Sequence, residues 1–251
     1  MSQVTTGLVL AVLVVFCRIG GCLMLMPGFS SPRVPMRVRL FVALAVVVAI
    51  SPLIVPGIVR DVGSATLPAL GLIIVGELAL GMLIGLLGRS FFSALQFMAT
   101  GIATFAGVGS MPGAPAIDDE PMPAIASLIM VTVTVLIFIT DQHLEVVKTL
   151  VASYGAIPVG TPFDAAGSLR QLTATFTTAF QLALQVSGPF VVYALAVNFL
   201  FGLANKMVPQ VPVYFISLPF VIAGGLALLY IAIMEALPVF MSGFAHWLVE
   251  G

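Results

Sequence analysis

The sequence has few charged residues and few of the residues from which most binding and catalytic sites are built. Only 8% of its 251 residues are charged, and its 9 lysines and arginines leave a formal net charge of -1. Because phosphate binding needs clustered basic residues, we expect no nucleic-acid partner. The two cysteines, Cys17 and Cys22, lie in one apolar run where a helix would point them in different directions, so we expect no disulfide between them.

The usual enzyme signatures are also missing. The sequence has no P-loop pattern, no G-x-S-x-G and no H-E-x-x-H. On a helix, His143 would point away from the face that Asp141 and Glu145 share, which argues against a metal or acid-base cluster there. Glu145 and Lys148 are instead spaced to form an i, i+3 ion pair. We therefore expect no catalytic residue, metal or cofactor, and a protein that is not an enzyme.

Apolar residues are abundant. They make up 61% of the chain, and the mean hydropathy is +1.21, whereas an ordinary soluble domain is about 45–50% apolar. Several runs are long enough to cross a hydrocarbon core of about 30 Å, which predicts an all-α, polytopic membrane protein without a separate soluble domain. We place the apolar segments at residues 4–26, 40–59, 67–87, 91–108, 122–140, 172–203, with a kink or hairpin turn at Gly188-Pro189, and 213–234.

The basic residues suggest an orientation. Residues 27–39 carry Arg33, Arg37 and Arg39 and no acidic residue, so the positive-inside rule places this loop in the cytoplasm. If the predicted segments cross the membrane alternately, a connection at Arg89 lies inside as well, and the loop at residues 109–123 lies outside.

Residues 109–123 form the acidic island of the chain. Glycines and prolines at 109, 112, 113, 115 and 121 oppose a regular helix or strand, and Asp118, Asp119 and Glu120 oppose burial in hydrocarbon. We expect a loop in water or in a pore. The alternative to a loop that acts in a pore is an ordinary connecting loop outside the membrane.

Two charges lie within long apolar runs. An unpaired charge in such a position costs at least about 2.5–3.5 kcal/mol, so we expect Arg18 and Glu77 to pair with each other or with a neighbouring subunit. The alternative is a small secondary transporter that uses both residues. Gly81 and Gly85 form a GxxxG motif, which predicts a close helix seam filled either by a partner subunit or by this chain.

Several short motifs occur in order over nearly the whole chain. They are Pro27-Gly28-Phe29-Ser30, Val34-Pro35, Arg37-Val38-Arg39, Gly76-Glu77 with Gly81 and Gly85, Asp141-Gln142-His143 with Ser153-Tyr154 and Pro158, and Pro209-Gln210 before Val213-Tyr214. Together they resemble the FliR family, the flagellar export-gate proteins of type III secretion. The sequence departs from the family pattern at Gln142, Leu144 and Lys206.

The resemblance implies that residues 1–251 form one FliR-like export-gate membrane domain. Its helical hairpins would pack against homologous FliP-like and FliQ-like subunits, next to an FlhB-like protein, in the bacterial inner membrane at the flagellar basal body. The function implied is that of a structural and gating subunit of a channel through which unfolded flagellar proteins pass. The equivalent subunit of a virulence injectisome is the alternative.

The resemblance also implies roles for particular residues. The loop at residues 109–123 is similar in position to the family's pore plug, which gives as plug and gating residues Gly109, Ser110, Met111, Pro112, Gly113, Asp118, Asp119 and Glu120. The residues expected to pack against partner subunits are Arg18, Glu77, Gly81, Gly85, Pro209 and Gln210.

Overall fold

The computed structural model describes residues 2–30, 34–109, 122–207, 210 and 213–250, without the side chains of residues 2–4, 213–215 and 250. Seven helices and no β-strand occur in these ranges, which confirms the all-α prediction. The helices are α1 (Ser2–Leu25), α2 (Met36–Gly63), α3 (Leu67–Phe105), α4 (Ala124–Ile139), α5 (Gln142–Ala156), α6 (Ala165–Met207) and α7 (Val213–Glu250).

Within the described ranges, five helices are long and apolar enough to cross a membrane: α1, α2, α3, α6 and α7. The broken pair α4 and α5 adds a sixth if it is counted as one span. These lengths and compositions are those of a multi-pass membrane protein, as the sequence predicts.

Three predicted boundaries are wrong. The segments at 67–87 and 91–108 form one helix, α3, so Arg89 lies within a helix and supplies no second basic loop. The alternation that placed the loop at residues 109–123 outside counted these segments as two crossings and therefore does not hold. Helix α6 continues through Pro189 and forms no hairpin there. Helix α7 continues to Glu250, well past the predicted end at Met234. In each case the helix satisfies backbone groups that a break would leave exposed to an apolar environment, and one internal proline removes a single hydrogen bond.

The described residues divide into two compact units. The first contains Met1–Ser90 and Asp141–Phe176. Its core joins α1 and α2 through apolar residues that recur every three or four positions and so lie on one face of each helix. They are Ala11, Val15, Ile19 and Leu23 on α1, and Ala43, Val47, Ile50 and Ile54 on α2. Val147, Val151 and Tyr154 of α5 pack against this core.

The second unit contains Phe91–Thr140 and Thr177–Gly251. Phe92 of α3 makes edge-to-face contacts with Phe240 and Phe244 of α7, with ring centroids 6.3 and 6.0 Å apart. Phe91 also meets Phe244 edge to face, at 5.7 Å. Aromatic pairs in this geometry contribute about 0.5–1.5 kcal/mol beyond their buried area, so they fix the carboxyl-terminal half of α7 on α3.

Candidate functional site

The first unit contains a buried ion pair between α1 and α3. The Nε of Arg18 donates to Oε2 of Glu77 at 2.6 Å, and Nη2 donates to Oε1 at 2.8 Å. The two side chains are only 1% and 2% exposed. This two-pronged geometry matches the planar guanidinium to both carboxylate oxygens, which gives the strongest form of such a pair. The structure therefore places Arg18 and Glu77, the two charges expected to need a partner, in contact within one chain.

Helix α5 completes the surroundings of Arg18. Its Nη2 donates to the carbonyl oxygen of Ile157 at 3.0 Å, and Nη1 donates to Oγ of Ser153 at 3.3 Å. The Tyr154 ring lies 4.0 Å from the guanidinium carbon, within cation–π distance. A cation at the carboxyl end of a helix also balances the unpaired carbonyls there. Arg18 thus connects α1, α3 and the end of α5.

The glycine seam lies beside this pair. A Cβ on Gly81 would overlap the backbone carbonyl of Arg18, and one on Gly85 would lie 2.6 Å from the carbonyl oxygen of Cys22. On the facing helix, a Cβ on Gly21 would lie 3.1 Å from the carbonyl oxygen of Leu78. Only glycine permits this approach of two backbones, and here α1 of the same chain fills the seam. The close approach brings Arg18 within reach of Glu77.

The second unit holds both ends of the acidic loop. Helix α3 ends in a Schellman motif. The backbone N–H of Val108 donates to the carbonyl oxygen of Ala103 at 3.0 Å, and that of Gly107 donates to the carbonyl oxygen of Thr104 at 3.1 Å. Gly107 has the positive φ, 78°, that this motif requires. Ala103 and Val108 are buried in a cluster that Ile125 of α4 contacts. Met122, at the other end of the loop, is also buried. The two ends therefore belong to one packed unit.

Most of the predicted plug lies outside the described residues. Gly109 is described and is half-buried beside Thr104. The other predicted plug residues and one predicted packing residue fall outside: Ser110, Met111, Pro112, Gly113, Asp118, Asp119, Glu120 and Pro209. Gln210 is an exposed turn residue.

The other candidates from the sequence are a surface ion pair, two cysteines and the side chains that could bind a metal. Lys148 and Glu145 form the predicted ion pair at 2.6 Å, with side chains 69% and 39% exposed, which confirms that prediction. Cys17 and Cys22 are both free. No cluster of three or more metal-ligating His, Cys, Asp or Glu side chains occurs in the part of the chain that the structure describes.

Sequence reasoning missed the contribution of α5 to the Arg18 site. Ser153 and Tyr154 are 135 and 136 positions from Arg18, and no local pattern connects them. Their only signal is that both belong to the set of motifs that resembles the FliR family.

Comparisons with known proteins agree with that resemblance. A family model described as bacterial export proteins, family 1, matches residues 9–247. The chain is similar to the flagellar biosynthetic protein FliR of Caulobacter vibrioides, with 28% identity over 228 residues, covering 87% of this chain and 86% of that protein. It is also similar to FliR of Escherichia coli, with 27% identity over 204 residues, covering 81% and 76%. FliR of Aquifex aeolicus is 25% identical over 235 residues, covering 93% and 89%. Because these matches extend over nearly the whole chain, it belongs to the FliR family of bacterial export proteins.

Proposed function

We propose that this protein is a structural and gating subunit of the type III export channel at the base of the bacterial flagellum. In this role it takes part in passing unfolded flagellar proteins across the inner membrane, together with FliP-like, FliQ-like and FlhB-like proteins. The family match and the similarity to three flagellar biosynthetic proteins support the flagellar assignment. One feature of the structure supports the view that the protein belongs to a larger assembly.

That observation is the length over which α7 exposes apolar side chains. Ile216 near its start and Val249 near its end are 57% and 74% exposed, and Phe220, Tyr230 and Met234 between them are also exposed. From Ile216 to Val249 the helix rises about 50 Å at about 1.5 Å per residue, whereas the hydrocarbon core is about 30 Å thick.

Tilting does not remove this mismatch. A tilt of roughly 50° would be needed to fit the exposed surface into hydrocarbon, beyond the range of about 0–40° seen for membrane helices. Part of the apolar surface of α7 must therefore be covered by protein, which favours neighbouring subunits. A transporter acting alone leaves that surface in water.

The acidic loop at 109–123 is the proposed pore plug. Val108, just before the loop, belongs to the packed cluster that Ile125 contacts, and Met122 at the other end is buried, while the glycines, prolines and acidic residues of the sequence between them oppose a regular helix or strand. A sequence of this kind between two buried ends favours a plug. We place the whole chain, as one export-gate domain, in the bacterial inner membrane.

The experiment is a deletion strain of the native organism that carries the gene on a plasmid. We expect flagellar proteins to be absent from the culture medium in the deletion strain and restored by the wild-type chain. Secretion of flagellar proteins at the wild-type level without the chain would contradict the proposal. Loss of virulence-type effector secretion with normal flagellar export would favour the injectisome alternative.

A further inference from the structure

We propose that the groove between α1 and α2 binds an anionic phospholipid, with an acyl chain on its apolar wall and the phosphate at Arg37. The groove has a volume of about 320 Å³ and is lined by Phe16 of α1 and by Arg37, Leu40, Phe41 and Leu44 of α2. This volume lies within the range of about 300–1,000 Å³ typical of ligand sites. The inference concerns a surface separate from the plug and does not depend on the channel function.

The dimensions of α2 match those of a bilayer. Residues 40–59 are uncharged, and at about 1.5 Å per residue they extend about 30 Å, the thickness of the hydrocarbon core. Exposed arginines lie near both ends, Arg37 and Arg60. In contrast to α7, this helix therefore fits into lipid with its charged ends at the level of the headgroups.

The charges favour a lipid at the Arg37 end. Arg37 is exposed and has no hydrogen-bond or ion-pair partner among the described residues. Arg39 lies two positions on, on a different face of the helix, and donates Nε to the Val34 carbonyl at 2.8 Å, so Arg37 supplies the positive charge of the groove. No acidic residue occurs in the first turn of α2. At the opposite end, Arg60 is followed by Asp61, which balances its charge.

The apolar wall and the charge lie in register. Leu40, Phe41 and Leu44 follow Arg37 by three, four and seven positions, so all lie on one helix face below it. Phe41 is 71% exposed and Leu44 is 46% exposed, which leaves room for an acyl chain beside them. A basic side chain above an apolar groove at the membrane surface complements an anionic headgroup with its acyl chain.

The test is photo-crosslinking in nanodiscs that contain the full chain with its copurified subunits. Phosphatidylglycerol and phosphatidylcholine, each with a photoactivatable acyl chain, are compared, and label on residues 36–44 is measured by mass spectrometry. We expect several-fold more label from phosphatidylglycerol. Arg37→Gln should lower it about fivefold, the factor that corresponds to about 1 kcal/mol per basic residue at an anionic surface.

Two further variants sharpen the result. Arg60→Gln removes an exposed arginine from the other end of the same helix and should leave the label on residues 36–44 unchanged. Leu44→Trp fills the groove without changing charge and should also reduce the label. Equal labelling by both lipids, no loss in Arg37→Gln, or crosslinks from residues 36–44 to a partner subunit in place of lipid would overturn the proposal. Copurification of the subunits is read from the same sample, so failure of the lipid site is distinguished from failure of the channel assignment.

Discussion

The Arg18–Glu77 pair makes a sharp energetic prediction. Replacing Glu77 with leucine leaves the Arg18 guanidinium, which is 1% exposed, without its counter-charge. Removing one partner of a buried pair destabilises a protein by about 3–5 kcal/mol, because the remaining charge stays buried. We expect a loss of this size for Glu77→Leu, measured by titration with sodium dodecyl sulphate in mixed micelles and followed by far-ultraviolet circular dichroism.

The matched control is Glu145→Leu, which breaks the exposed pair with Lys148. Such surface pairs contribute about 0–1 kcal/mol, so this variant should unfold nearly as the wild type does. The double variant Arg18→Met/Glu77→Leu removes both charges and should be more stable than Glu77→Leu alone. Equal stability of Glu77→Leu and Glu145→Leu would refute the reasoning. An intact fold that has lost ion or solute flux would instead favour the transporter alternative.

Three other substitutions test the remaining parts of the structure. Gly81→Ala should destabilise the first unit by about 1–3 kcal/mol because its Cβ meets the Arg18 carbonyl, whereas Gly76→Ala, with nothing within 4 Å, should be neutral or stabilising in the same titration. Tyr154→Leu should lose about 0.5–2 kcal/mol of cation–π energy that Tyr154→Phe retains, and equal losses would contradict that role for the ring. Alanine at 118–120 together should change ion leakage through the assembled complex without preventing assembly, and a complex that no longer forms would assign the loop a structural role.

The helical class and the buried charge pair could both be predicted from the sequence for the same reason. Long apolar runs have few stable arrangements other than helices, and a charge inside such a run requires a partner. With one acid and one base, Glu77 and Arg18, placed deep within the first three runs, the pair was among the few solutions available.

The helix boundaries were harder because their signals are local. Arg89 and Gly188-Pro189 are typical of connections, yet α3 and α6 continue through both. In an apolar environment, the free energy gained from continuous backbone hydrogen bonds exceeds the cost of one charge or of one lost hydrogen bond. That balance depends on the surroundings of the helix, which the neighbouring residues in the sequence do not reveal.

The seam and the α5 contacts depend on which helices meet. The spacing of Gly81 and Gly85 predicts a close approach by a helix, but the identity of that helix is set by packing across 59 positions of chain between Arg18 and Glu77. Ser153 and Tyr154 are farther still from Arg18, so their place in the site follows only from the folded first unit.

The most direct test of the proposed function is copurification of the full chain, tagged at its carboxyl end, from gently solubilised native membranes. Mass spectrometry then identifies the proteins in the particle. We expect small multi-pass subunits of the FliP-like and FliQ-like kind in one stable complex, since the exposed apolar surface of α7 exceeds what a bilayer covers. A monodisperse chain that is stable without any protein partner would contradict the export-gate assignment.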